Sequence, residues 1–338
     1  MKRQLIALVG ALLTVLAIVA GPAQAQSVQG VEQASGTGQS ADSSASSTQT
    51  APSNSNISVR IFSPGDNGSV SQSNNSVAGS VAANKAETTQ AVGQGSGAGG
   101  GEQVVGQGSD TYQAAKSRAE SKQYKPSNSN ISVRIHSPGD DGDVEQSNNS
   151  IAGSVAANKA ETTQEVGQEQ GGGADMAHGK CCDSAGVQAV GQKAETGQKA
   201  ESEAKSVQEH ASNENIPVRI DSYGDNGSVS QENNSAALSF AGNKAETSQG
   251  VEQFQGGGCG CGHKSDGARV QAVGQWAETW QKSKSDATSE QFHPSNSNTP
   301  VREKSWGDGG SVSQSNTSLA GSLALNLAGT FQRVRQQQ

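Results

Sequence analysis

Four segments of this chain, starting at Val70, Val144, Val229 and Val312, carry the same residue type at every second position for thirteen positions. In the first copy the series is Val70, Gln72, Asn74, Ser76, Ala78, Ser80, Ala82, Asn84, Ala86, Thr88, Gln90, Val92 and Gln94. The residues between them drift: Val77 corresponds to Ile151, Ala236 and Leu319, and Lys85 to Leu327. A period of two is the signature of one face of an extended chain, whereas a helix ties positions three and four apart. The segments are therefore expected to be β structure with one fixed face and one variable face.

A second alternating run lies upstream of each copy. It begins Gln29, Val31, Gln33, Ser35, Thr37, Gln39, Ala41 and returns from Gln103, Gln188 and Gln271. Between the two runs lies a third, where Ile57, Val59 and Ile61 alternate before the turn signal Ser63-Pro64-Gly65-Asp66-Asn67-Gly68. Its counterparts are 131–135 and 216–220, and a degraded fourth copy has Glu303 where Ile is expected. The chain thus divides into a leader at 1–25 and four units, 26–102, 103–187, 188–270 and 271–338, in which the repeats beginning at Gln29, Gln103, Gln188 and Gln271 are spaced by 74, 85 and 83 residues. Long repeats of this kind point to arrays in which each unit buries its face against its neighbours. Gly95–Gly101, Gly171–Gly173 and Gly256–Gly258 read as connectors. Two stretches, Tyr112–Glu120 and Lys199–His210, are rich in helix formers, and short surface helices or tethers are the alternative there.

Composition alone argues for disorder. The aliphatic and aromatic set makes up 31% of the chain and aromatics only 3%. Ordering a residue costs ~1.5 kcal/mol while burying a large aliphatic returns ~1.5–3 kcal/mol, so a conventional core cannot form here. A largely disordered low-complexity chain is therefore the alternative fold expectation. The repeat supplies another kind of core. Identical Asn and Gln side chains stacked ~4.8 Å apart can bond to the copies above and below, and Ala and Ser let sheets approach closely. The expected fold is all-β, a β-solenoid or stacked β-arch array.

The first 25 residues have a basic start at Lys2 and Arg3, an apolar run and an Ala23-Gln24-Ala25 ending, the pattern of a secretory signal peptide. Removing them takes the formal charge from −8 to −10. A secreted, extracellular or surface-bound acidic protein follows, with no nucleic acid as partner and no transmembrane span after cleavage.

The spacing Asn84-x-Ala86-x-x-x-Gln90, repeated at 158–164, 243–249 and 326–332, resembles one half of the curlin repeat, the unit of curli-type functional amyloid. The other half departs, because the Gly after the first Gln is missing and the unit is longer. The block NxNIxVRIxSPGDNGxVxQSNNS also looks like a group of uncharacterised secreted bacterial repeat proteins. These resemblances imply an extracellular location and a fibre-forming strand–arc–strand fold, and no chemistry.

Site candidates are few. Cys181 and Cys182, with His178, lie in one Gly-rich connector, and Cys259 and Cys261, with His263, lie in the next. Secretion favours disulfides between the two loops; a soft-metal site for Zn or Cu(I) built from the same six residues is the alternative. Asp66, Asp140, Asp225 and Asp308 read as turn formers, with Ca²⁺ binding as the alternative. His136, His210 and His293 read as isolated and solvated, and no catalytic set is evident. The last unit replaces the charges of the variable face with Leu319, Leu323, Leu325, Leu327 and Phe331. Such a stripe points to contact with a second copy or a cell-envelope component, or to packing near Leu238 and Phe240. The expectation is a non-enzymatic structural protein of the cell surface or matrix, including a fibre subunit; the alternatives are a flexible metal-binding protein and an adhesin.

Overall fold

The computed structural model describes residues 27–96, 101–171, 186–256 and 269–337. Their strands are β1 (Ser27–Thr50), β2 (Ser53–Ile61), β3 (Val70–Ser96), β4 (Gly101–Tyr124), β5 (Ser127–Ile135), β6 (Val144–Gln170), β7 (Gly186–Glu209), β8 (Ser212–Ile220), β9 (Val229–Gln255), β10 (Arg269–Phe292), β11 (Ser295–Asn298), β12 (Val301–Glu303) and β13 (Val312–Gln337). The three alternating runs of each unit become one long, one short and one long strand. Each unit is one rung of a β-solenoid.

Three parallel sheets result: β1-β4-β7-β10, β2-β5-β8 continued by β11 and β12, and β3-β6-β9-β13. Register follows the sequence repeat, so that Gln29 pairs with Gln103, Asn54 with Asn128 and Asn84 with Asn158. The insertions that lengthen two of the intervals fall between β6 and β7 and between β9 and β10, and the register stays unbroken across both. In the fourth unit the short strand is interrupted at Thr299 and Pro300, and Pro300 has no N–H for a ladder.

The fixed face is the inner face. In β6, Val144, Gln146, Asn148 and every second residue onward are buried, and the residues between them are half-buried or exposed. The two long sheets face each other across a core of small side chains. Ala78, Ala119, Ala152, Ala204 and Ala237 form one cluster, Ala82, Ala115, Ala156, Ala200 and Ala241 a second, and Val105, Val166, Val190 and Val251 a third. Between them runs a zigzag of serines. Ser80 donates to Ser43 at 3.0 Å, Ser117 to Ser80 at 2.9 Å, and Ser154 to Ser117 at 2.9 Å. The zigzag continues through Ser202, Ser239 and Ser285. Each hydroxyl of this zigzag bridges the two sheets and so finds its partner inside the core.

Two expectations are corrected. Tyr112–Glu120 and residues 199–209 are strand, within β4 and β7, and form neither helices nor tethers. Helix formers yield because Gln113, Ala115, Ser117 and Ala119 sit on the inner face, matched to Gln198, Ala200, Ser202 and Ala204 in the next rung; a helix there would break every one of those columns. The first Gly connector is also shorter than expected, since Gly95 closes into β3 and Gly101 opens β4.

The short sheet inverts the usual reading of an apolar alternation. Ile57, Val59 and Ile61 mark the strand but face outward and are exposed. Inside lie the polar partners, with Asn128, Asn130, Ser132 and Arg134 buried in the second rung.

Candidate functional site

The inner columns of amides have a direction. Asn54 Nδ2 donates to Asn128 Oδ1 at 2.8 Å, Asn128 to Asn213 at 2.9 Å, and Asn213 to Asn296 at 2.9 Å, so the Asn columns donate toward the C-terminal rung. The column Asn84–Asn158–Asn243–Asn326 runs the same way at 2.9 Å per step. The Gln columns run in the opposite sense. Gln164 Nε2 donates to Gln90 Oε1 at 2.8 Å, Gln249 to Gln164 at 2.8 Å, and Gln332 to Gln249 at 2.6 Å. Side-chain dipoles thus oppose one another along the stack.

This polarity makes the two ends different and complementary. Among the described residues, Asn84 Oδ1 on the first rung accepts no hydrogen bond, and Asn326 Nδ2 on the last rung donates none. Gln332 Oε1 on the last rung likewise accepts none, although Gln90, Gln164 and Gln249 each accept from the rung above. Placing the last rung of one copy on the first rung of another would close each column with the bond it already uses. The inner residues match: Val312, Gln314, Asn316, Ser318 and Ala320 would lie over Val70, Gln72, Asn74, Ser76 and Ala78.

The turns carry columns of their own. Asp140 N–H donates to Asp66 Oδ1 at 2.8 Å, Asp225 N–H to Asp140 Oδ1 at 2.8 Å, and Asp308 N–H to Asp225 Oδ1 at 2.6 Å. The aspartates therefore bind the neighbouring turn's backbone. No group of three or more His, Cys, Asp or Glu suited to a metal ion occurs among the described residues. Gly139 and Gly224 precede Asp140 and Asp225 with φ of 135° and 128°. A Cβ on either would fall 2.3 Å from the carbonyl oxygen of the glycine one rung below. Only Gly permits this turn to stack on itself.

Behind the turns, four arginines form an internal column. Arg134 and Arg219 are 0% exposed. Arg134 Nε donates to Asp141 Oδ1 at 2.9 Å, and Arg219 Nη2 reaches Asp141 Oδ2 from the next rung at 2.9 Å. In the first and third rungs asparagine takes the aspartate's place: Arg60 Nε donates to Asn67 Oδ1 at 2.7 Å and Arg219 Nε to Asn226 Oδ1 at 2.8 Å. Burial pushes the Asp141 carboxyl up, but hydrogen bonds from Arg134 and Ser132 and the charges of Arg219 and Arg134 outweigh it, leaving the pKa lowered. Burial lowers Arg219, Asp141 opposes this, and the like charges of Arg134 and Arg302 add to the lowering. A polar cavity of about 320 Å³ lies alongside, lined by Asn56, Ser58, Arg60, Asn130, Asp141 and Asn226 among others.

The histidines read as isolated are brought together by the repeat. His136 stacks on Phe62 with ring centroids 4.9 Å apart. His210 and His293 stack at 4.9 Å, with Tyr124 edge-on to His210 at 6.4 Å. Each pair occupies one turn position in successive rungs, with positive φ at Phe62, His136, His210 and His293. Their spacing in sequence, 74 and 83 residues, matched the repeat and was the available signal.

Leu319, Leu323, Leu325, Leu327 and Phe331 all face outward on β13, between 52% and 64% exposed. Leu323 pairs with Phe240 and Gly321 with Leu238, so the stripe adjoins the apolar residues of the third unit within one sheet face and remains open to solvent. The six connector residues His178, Cys181, Cys182, Cys259, Cys261 and His263 lie outside the described residues, as does the leader at 1–25. The arginine column and the amide polarity were missed by sequence reading. The column was visible as Arg60, Arg134, Arg219 and Arg302 at unit spacing, while bond direction has no sequence signal.

No family model matches this chain, and neither a curated protein nor a solved structure matches it.

Proposed function

We propose that the protein is a secreted, non-enzymatic structural repeat protein of the cell surface or extracellular matrix that assembles head to tail, the last rung of one copy stacking on the first rung of the next. The observation that carries this reading is the complementarity of the ends: Asn326 presents an amide donor and Gln332 an acceptor on one end, and Asn84 and Gln90 offer their counterparts on the other. Leaving such groups unpaired against a partner costs ~1–3 kcal/mol each, and pairing them recovers that cost along the whole rung. The edges also carry the unpaired backbone of three sheets, a template for further parallel strands. The signal-like leader supports secretion, and the curlin-like spacing is in keeping with a fibre.

The test is sedimentation and negative-stain microscopy of mature protein beside Asn326→Asp/Gln332→Glu, which adds charge to the terminal rung only. Filaments from the wild type and monomers from the variant are expected. Wild-type chains that stay monomeric at every concentration, or a variant that forms filaments equally well, would refute the stacking reading.

A second reading is favoured by one specific observation, the outward stripe. It is not part of the stacking surface, so it remains available to a cell-envelope component while the ends are occupied. Leu325→Lys/Leu327→Lys separates the two: filaments persist and retention at the cell surface is lost if the stripe is an anchor.

A further inference from the structure

In three of the four rungs the residue seven positions after the column arginine accepts that arginine's Nε: Asn67 for Arg60, Asp141 for Arg134 and Asn226 for Arg219. In the fourth rung the position is Gly309, seven after Arg302. Two buried donors are orphaned there. Arg302 Nε has no hydrogen-bond partner, although its two terminal nitrogens reach the carbonyls of Gly307 and Asp308 at 2.8 and 2.5 Å. Asn226, only 6% exposed, has no partner for Nδ2. Its orientation is fixed because Oδ1 is held by Arg219, as Asn67 Oδ1 is held by Arg60. Asn67 in that pose directs Nδ2 up one rung onto Asp141 Oδ1 at 2.7 Å. Asn226 in the same pose directs Nδ2 toward the place where Gly309 has no side chain. That place is open: a Cβ on Gly309 would meet nothing within 4 Å.

We propose that the gap beside Gly309 binds one small monovalent anion, a carboxylate or a halide, held by Arg302 Nε and Asn226 Nδ2 in the position that Asp141's carboxylate fills in the second rung. Asp141 shows what the position takes. Its carboxylate accepts from Arg134 Nε, Ser132 Oγ, Asn67 Nδ2 and Arg219 Nη2. Electrostatics point the same way. The column holds four guanidinium groups, and Asp141 is the one carboxylate bonded to their side-chain nitrogens among the described residues. Asp66, Asp140 and Asp225 of the turn column are exposed and committed to backbone N–H groups, and the exposed carboxylate of Asp308 makes no bond to the arginines. Arg302 is half-buried with no carboxylate bonded to it, and a small anion at that end of the column lowers the cost of holding its charge there. Pro300 stands where Ser132 donates in the second rung, so the site has fewer donors than Asp141's and its affinity is correspondingly modest. The site does not depend on whether copies stack.

Line broadening of the chloride-35 resonance reads such a weak site directly. Full mature protein is added to sodium chloride and then titrated with sodium formate. The chain's net negative charge makes general attraction of halide small. Excess broadening that formate removes is expected for the wild type. Gly309→Asp, which supplies the missing carboxylate from the chain, should abolish it. Arg302→Met should weaken binding about tenfold or more, the size expected for one charge-assisted hydrogen bond, and it reports on the site if Gly309→Asp does not fold. Saturation transfer to formate without chloride broadening would identify a carboxylate-selective site. Broadening unchanged in both variants, or neither chloride broadening nor formate transfer with the wild type, would overturn the proposal.

Discussion

Arg219 reaches across one rung to Asp141, Nη2 to Oδ2 at 2.9 Å, while Arg134 holds the other oxygen from Asp141's own rung at 2.9 Å. One carboxylate thus ties two fully buried guanidinium groups on successive layers, and the short sheet is keyed to the turn that follows it.

Removing that carboxylate should be severe. Asp141→Leu leaves two buried cations unpaired and is expected to cost ~3–5 kcal/mol in urea unfolding. Asp141→Asn should cost much less, since Asn67 and Asn226 already serve at the same position. Equal losses for the two variants would mean that the carboxylate's charge, and not a hydrogen-bond acceptor at that place, is what Arg134 and Arg219 require, and would contradict this expectation.

Acid stability follows from the same group. Asp141's folded pKa is lowered, so its contribution is present above the unfolded carboxylate value and is lost as pH falls through the folded one. Unfolding midpoints measured on acidification below the ordinary carboxylate range should fall more steeply for the wild type than for Asp141→Asn. Parallel curves would count against Asp141 as the linked group.

The fixed face can be tested against the variable one. Asn158→Asp with Gln164→Glu places charge in two buried columns, whereas Lys159→Asp with Glu161→Lys alters residues that face outward. The first pair should lose several kcal/mol, at ~1–3 kcal/mol or more for each broken pairing, and the second about 0–1 kcal/mol. Similar shifts in thermal midpoint would refute the assignment of faces.

Much of this was legible in the sequence. Identity at every second residue named the strands, their inner faces and their register, because a stacked column requires the same side chain on each rung. Two kinds of feature were not legible. Helix propensity in Tyr112–Glu120 pointed the wrong way, since local preference gives way to columns contributed by residues 74 and 85 positions distant. The alternation of Ile57, Val59 and Ile61 located a strand but not its inner face, which is decided by what Arg60 and Asn56 can bond to inside. The gap at Gly309 looks in sequence like one more turn glycine, and only the orphaned donors around it give it meaning.

Turn glycines make a sharp contrast. Gly139→Ala forces a Cβ to 2.3 Å from the Gly65 carbonyl at positive φ, while Gly79→Ala meets nothing within 4 Å. Gly139→Ala should lower the urea midpoint markedly or prevent folding, and Gly79→Ala should leave it unchanged. A benign Gly139→Ala would mean the turns do not stack as described.

For the connector cysteines, non-reducing mass mapping of secreted protein is expected to link the Cys181/Cys182 loop to the Cys259/Cys261 loop. Four free thiols with bound zinc would favour the metal reading instead.

The central claim is that each sequence unit forms one rung, in register with the next. Nitroxide labels on Ser73 and Ser147, outward-facing partners on β3 and β6, test it most directly in a background with the native cysteines replaced. Adjacent parallel strands lie ~4.8 Å apart. The account predicts strong spin exchange in the doubly labelled protein, collapsing its continuous-wave spectrum relative to the summed single labels. A spectrum equal to that sum, showing the two sites far apart, would contradict it.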